Sequence, residues 1–75
     1  MPTLRELRTA KVWSIRDLAS RAGVSTATIV AIEHGKASLR FVTMRKIASA
    51  LGVEPGEIDE FQTAIRQAAE GKAAA

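Results

Sequence analysis

The sequence predicts an all-α domain of five helices, two of which form a helix-turn-helix. Apolar residues recur at spacings of three and four, and no segment alternates at the strand period. Glycines stand at positions 23, 35 and 52, where those periodic runs stop. At 75 residues the chain makes one small domain, able to bury only roughly 60% of its unfolded surface. We place that compact domain at residues 1–70, and expect 71–75 to be a frayed C-terminal tail with nothing to bury. No repeat or interdomain linker is evident.

Leu4 to Lys11 puts Leu4, Leu7 and Arg8 on one side of a short first helix, with Val12 and Trp13 after it. Trp13 is read as core filler between the first two helices. Ser14 is a good N-cap, and Ser14-Ile15-Arg16-Asp17 reads as a capping box with Asp in place of Glu. The second helix runs to about Arg21 and stops at Ala22-Gly23. Ser25 caps the third, which ends at His34 with Gly35 as its C′ residue. A polar stretch, Lys36-Ala37-Ser38, leads to a fourth helix in which Phe41, Met44, Ile47, Ala48 and Leu51 repeat at helical spacing. Pro55 suits the first turn of a fifth, which carries Ile58, Phe61 and Ile65.

Within this series, Leu18, Ala19, Ala22, Gly23, Val24, Ile29 and Ile32 are the fixed points of the helix-turn-helix. Ala19 must be small because the third helix crosses close above it, and Gly23 sits where the chain turns. The helical period points Ser25, Ile29, Ile32 and Glu33 inward. Ala27, Val30, Ala31 and His34 are left outward, with Thr26 at the edge. That outer face has the size of a major-groove reader.

Charge divides the chain. Residues 1–46 hold nine Lys/Arg against three acids, net +6, while 47–75 hold two against five, net −3. A basic front and an acidic back suit one face turned to a polyanion, although net +3 is also ordinary for a solvated surface. There is no cysteine, hence no disulfide, thiolate metal site or cysteine nucleophile. One histidine, His34, builds neither a metal site nor a catalytic pair by itself; at a helix end it suits the dipole. Glu54, Glu57, Asp59 and Glu60 are read as helix-start residues rather than a carboxylate pair or calcium loop. No enzyme activity, cofactor or metal is expected. The first residues are charged where a secretion signal is apolar, and no apolar run spans a bilayer, so we expect a cytoplasmic, nucleoid-associated protein and no membrane partner.

The runs Leu4-Arg5-Glu6-Leu7-Arg8, Trp13 to Ala19, Ala22-Gly23-Val24-Ser25, Ile32 to Lys36 and Ile47 to Val53 resemble the phage-repressor family (Cro-like, xenobiotic-response-element) of helix-turn-helix proteins. The likeness covers about residues 3–61. It implies a compact five-helix fold whose second and third helices bind double-stranded operator DNA, commonly as a two-fold dimer. It also implies that Arg8 pairs with Glu33, and that Ser14 presents the second helix's N-terminus to a phosphate. By the same likeness Lys36 contacts a phosphate and Arg40 lies along the DNA backbone; Arg16 and protonated His34 are taken as further phosphate contacts. The chain departs from the family at Ile15, where many members carry Gln.

Base contacts are therefore expected from Ile15, Thr26, Ala27, Thr28, Val30 and Ala31, with apolar contact to thymine methyls. Two functions stay open. The favoured one is a sequence-specific transcriptional regulator, a repressor, that places Ser25 to His34 in the major groove. The other is a protein-interaction module of the same fold, such as an antitoxin, that uses the Ala27/Val30/Ala31 face or helix five. Phe61 and Ile65 are expected on an exposed homodimer interface of helix five, with monomer core as the alternative.

Overall fold

The computed structural model describes residues 1–36 and 39–74, with side chains as far as Glu70. Its helices are α1 (Leu4–Ala10), α2 (Ile15–Ala22), α3 (Thr26–Glu33), α4 (Phe41–Leu51) and α5 (Asp59–Ala74), with one 3-10 turn at Pro55–Glu57. Among the described residues no strand occurs. Positions 37 and 38 of the expected polar stretch lie outside the described residues, as does Ala75.

Local chemistry sets the helix ends. The Ser14 Oγ accepts the Asp17 N–H at 3.0 Å, and Asp17 Oδ2 accepts the Ser14 N–H at 2.9 Å, a reciprocal capping box. Thr3 and Glu6 close the same box at the start of α1, a cap that the sequence reading did not name. Gly23 ends α2 at φ +72°, and a Cβ built there meets nothing within 4 Å. Its glycine is therefore fixed by backbone conformation rather than by crowding. Val12 takes the corresponding left-handed position after α1 at φ +58°, although it is β-branched and 88% exposed. The Trp13 N–H, donating to the Arg8 carbonyl at 3.2 Å, holds it there.

Packing joins α2 to both α3 and α4. Leu18, Ala19 and Ala22 of α2 meet a core built with Ile29 and Ile32 of α3 and with Met44, Ile47, Ala48 and Leu51 of α4. Leu4, Ile58 and Phe61 close its other end. Trp13 is half-buried against this core rather than inside it, its ring 4.5 Å from the Arg21 guanidinium carbon and 5.4 Å from Lys11 Nζ.

Helix five departs from expectation at both ends. Pro55 lies in the separate 3-10 turn, and Ile58 breaks the path at ψ 125° before α5 begins at Asp59. The helix then continues to Ala74, beyond the end we placed at Glu70. Its start is tied to the start of α1: the Asp59 N–H donates to the Pro2 carbonyl at 2.9 Å, and the Leu4 N–H donates to Glu60 Oε1 at 2.8 Å. Glu60 thus satisfies a free N–H of another helix rather than acting only on the dipole of its own. This docking drives Phe61 fully into the core, at 0% exposure. The expected exposed Phe61 contact between two copies is overturned, because the monomer already covers that ring.

Candidate nucleic-acid interface

Arg8 and Glu33 fix α3 against α1. Arg8 Nε lies 2.7 Å from Glu33 Oε2, and Nη2 donates to Oε1 at 3.1 Å, a two-pronged contact. The third prong, Nη1, donates to the Trp13 carbonyl at 2.8 Å and so gathers the α1–α2 loop into the same joint. The pair is nearly buried, at 10% and 7% side-chain exposure. The hydrogen bond to Glu33 raises the Arg8 pKa, and burial opposes it. Asp17 moves the other way: the Ser14 N–H bonded to its carboxylate holds it below the ordinary range.

With one side of α3 sealed by Ile29, Ile32 and Glu33, the other is free. Thr26, Ala27 and His34 are exposed, and Val30 is 37% exposed. Ala31 is half-buried, so it offers less surface than its neighbours. Thr28 is half-buried too, and its hydroxyl lies 2.8 Å from Ser25 Oγ. That oxygen is engaged in the helix cap, which reduces what it offers a base. Ile15 is half-buried and packs against the core, which leaves only part of its side chain for a ligand. The apolar residue there is explained by that packing.

The structure leaves the cations expected at phosphates on the surface. Arg16 is exposed in the first turn of α2, beside the capped Ser14; Lys36 follows α3 and Arg40 precedes α4, both exposed. The sequence reading missed the Lys11–Trp13–Arg21 stack, which adds two cations next to the start of α2. Its signal was an aromatic residue two positions after one cation and eight before another, too loose to read without the fold. Ile65 is half-buried and lines a groove of about 360 Å³ with Phe41, Met44, Arg45 and Pro55. Phe41 and Val42 stand 50% and 52% exposed at the start of α4. Among the described residues no cluster of three His, Asp or Glu could hold a metal, and no helix is long and apolar enough to cross a membrane.

Comparison with known proteins agrees with this geometry. A helix-turn-helix family model matches residues 4–58. The chain is 40% identical over 76 residues to the HTH-type transcriptional regulator RghRB of Bacillus subtilis, itself described as uncharacterized, covering 91% of this chain and 55% of that protein. It is 41% identical over 51 residues to the HTH-type transcriptional regulator SutR of Escherichia coli, covering 68% of this chain and 29% of that one. The chain thus spans about half the length of RghRB and less of SutR. No solved structure matches. The family model takes in α1 to α4 and the 3-10 turn, the part of the chain that builds and braces the free face of α3, and on that ground the chain belongs to the Cro/C1-type helix-turn-helix family.

Proposed function

We propose that this chain is a DNA-binding transcriptional regulator, a repressor, that seats the helix from Ser25 to His34 in the major groove. The observation that carries the reading is the free side of α3, held rigid from behind by the Arg8–Glu33 pair and accompanied by exposed cations. Thr26, Ala27 and Val30 face base edges, with Ala31 and the exposed part of Ile15 at the margin. Ser14, Arg16, His34, Lys36 and Arg40 hold the phosphates, a division in which the backbone contacts position the helix and the base contacts specify. The regulator names borne by RghRB and SutR support the same class. Its place of action is then the bacterial cytoplasm, on the nucleoid.

Duplexes selected by the purified protein from a random pool should converge on one sequence, with affinity falling steeply with salt. Lys36→Ala and Arg40→Ala should each lower the salt slope by about one unit while leaving sequence preference intact. Failure to enrich any sequence, together with salt-insensitive capture of a protein partner, would instead support an antitoxin-like module, the reading favoured by the apolar Ala27/Val30 face.

A repressor of this kind acts on an inverted repeat as a homodimer, with two α3 helices about 34 Å apart. Since Phe61 is in the core, we assign the contact to the Phe41/Ile65 groove between α4 and α5, with a second copy of this chain as its occupant. Exposed Phe41 and Val42 beside it form an apolar patch that association would cover.

A further inference from the structure

His34 caps the C-terminus of α3, and its Nδ1 lies 2.9 Å from the Val30 carbonyl oxygen. A carbonyl oxygen only accepts, so Nδ1 carries a proton whenever this bond is made. The contact holds the ring against the last turn of α3 and directs Nε2 away from it, on an exposed residue. In the neutral ring, Nε2 is then a bare acceptor. A phosphate oxygen is an acceptor as well, so the two repel. One proton from solvent, added at Nε2, turns the same atom into a charge-assisted donor aimed outward.

We propose that His34 is a proton-gated phosphate ligand: DNA binding takes up one proton at Nε2, and affinity rises as the pH falls. This rests on the DNA-binding reading above. Among the described residues no carboxylate lies within ion-pair distance of the ring. Glu33, its chain neighbour, is held by Arg8 of α1 in the two-pronged pair. Lys36 and Arg40 follow in the next segment, both cationic and exposed. Asp59 and Glu60 of α5 line the cleft that Gly35 also lines, and Glu60 is bound to the Leu4 N–H. His34 is the one histidine of the chain, and histidine is the side chain that ordinarily changes charge between about pH 5 and 8. The linkage is therefore readable without interference from a second imidazole.

The test measures binding of the whole chain to a labelled duplex between about pH 7.2 and 5.5, with His34→Gln as the comparison. Gln keeps a neutral donor that does not titrate. The wild-type Kd should fall about three- to fivefold across that range, and its salt slope should steepen by up to about 0.9 as one more phosphate is neutralised. The Gln variant should stay nearly flat in both. Independently of any variant, the ring-proton NMR titration of His34 should shift its midpoint upward when duplex is added. Tight DNA binding with parallel pH profiles for the two proteins, or an unmoved NMR midpoint, overturns this inference alone. No DNA binding at any pH removes the regulator reading and this inference with it.

Discussion

Arg8 joins three separate segments of the fold through one side chain. Its guanidinium donates to both Glu33 oxygens and to the Trp13 carbonyl, so one side chain ties α1, the loop after it and α3. Glu33→Ala would strand a nearly buried cation. We expect a loss of about 3 kcal/mol in urea unfolding, with Arg8→Met/Glu33→Leu recovering much of it. Val12 presents the opposite case, a strained residue that makes no compensating side-chain contact in exchange. Val12→Gly should raise stability by about 1 kcal/mol, the net of relieved left-handed strain and added unfolded-state freedom; an unchanged unfolding midpoint would show that no strain was stored there. Acid sensitivity belongs to the capping boxes. The Ser14 N–H holds Asp17 below the ordinary carboxylate range, and Thr3 does the same for Glu6. A depressed folded pKa contributes stability above the unfolded value, which disappears as pH falls through the folded one. Below about pH 4 the wild type should therefore lose thermal stability faster than Glu6→Gln/Asp17→Asn, with the two converging at the acid end.

At the scale of the element, α3 is unusual in being apolar on both sides. Ile29 and Ile32 seal it inward, while Ala27 and Val30 face out and the Thr28 hydroxyl is drawn back to the Ser25 cap. On the proposed DNA-binding reading, hydrogen-bond readout would fall mainly to Thr26, and methyl contact would be the principal means of recognising bases. Selected sites should carry thymine opposite Ala27 and Val30. Uracil in their place removes only a methyl and should weaken binding severalfold; equal affinity for the two duplexes would leave methyl readout without support. The other helices serve this one. α2 carries the Ser14 cap and crosses α3 on small Ala19 and Ala22, while α4 backs α2.

For the whole molecule, the decisive event is the docking of α5 onto the start of α1. Two hydrogen bonds between residues more than 50 positions apart, Asp59 to Pro2 and Leu4 to Glu60, close the core and draw Phe61 inside. The apolar surface left beside α5 is then at Phe41, Val42 and the half-buried Ile65 rather than at Phe61. Phe41→Glu and Phe61→Ala should separate the two roles. The first should abolish dimers in sedimentation on operator DNA while leaving the unfolding midpoint nearly unchanged. The second should cost about 3–5 kcal/mol of stability by opening a core cavity. A wild type that is monomeric both free and on DNA would remove the dimer.

What the sequence determined by itself was whatever depends on neighbours within one helical turn. Ser14 with Asp17, Ser25 before α3, Gly23 and Gly52 after their helices, and the inward Ile29/Ile32 pair are all local, and the fold class and the helix-turn-helix follow from them. The exposure of Arg16 was legible for the same reason, since a charged residue between apolar positions of an amphipathic helix has only solvent to face, whereas Lys36 and Arg40 lie outside the helices and were singled out through family resemblance. The ion pair of Arg8 and Glu33, 25 positions apart, was reached through family resemblance, because spacing carries no record of a partner on another helix. Tertiary structure alone decided the rest. Phe61 and Ile65 have the same helical spacing from Ile58 in either arrangement, so periodicity defines their stripe but not what covers it. That was settled by where α5 meets α1, through backbone groups of Pro2 and Leu4 that no side-chain pattern announces. Ile15 and Thr28 follow the same rule: both lie at the edge of the presented face, and only packing and a cap hydroxyl determined how much of each was left exposed on it.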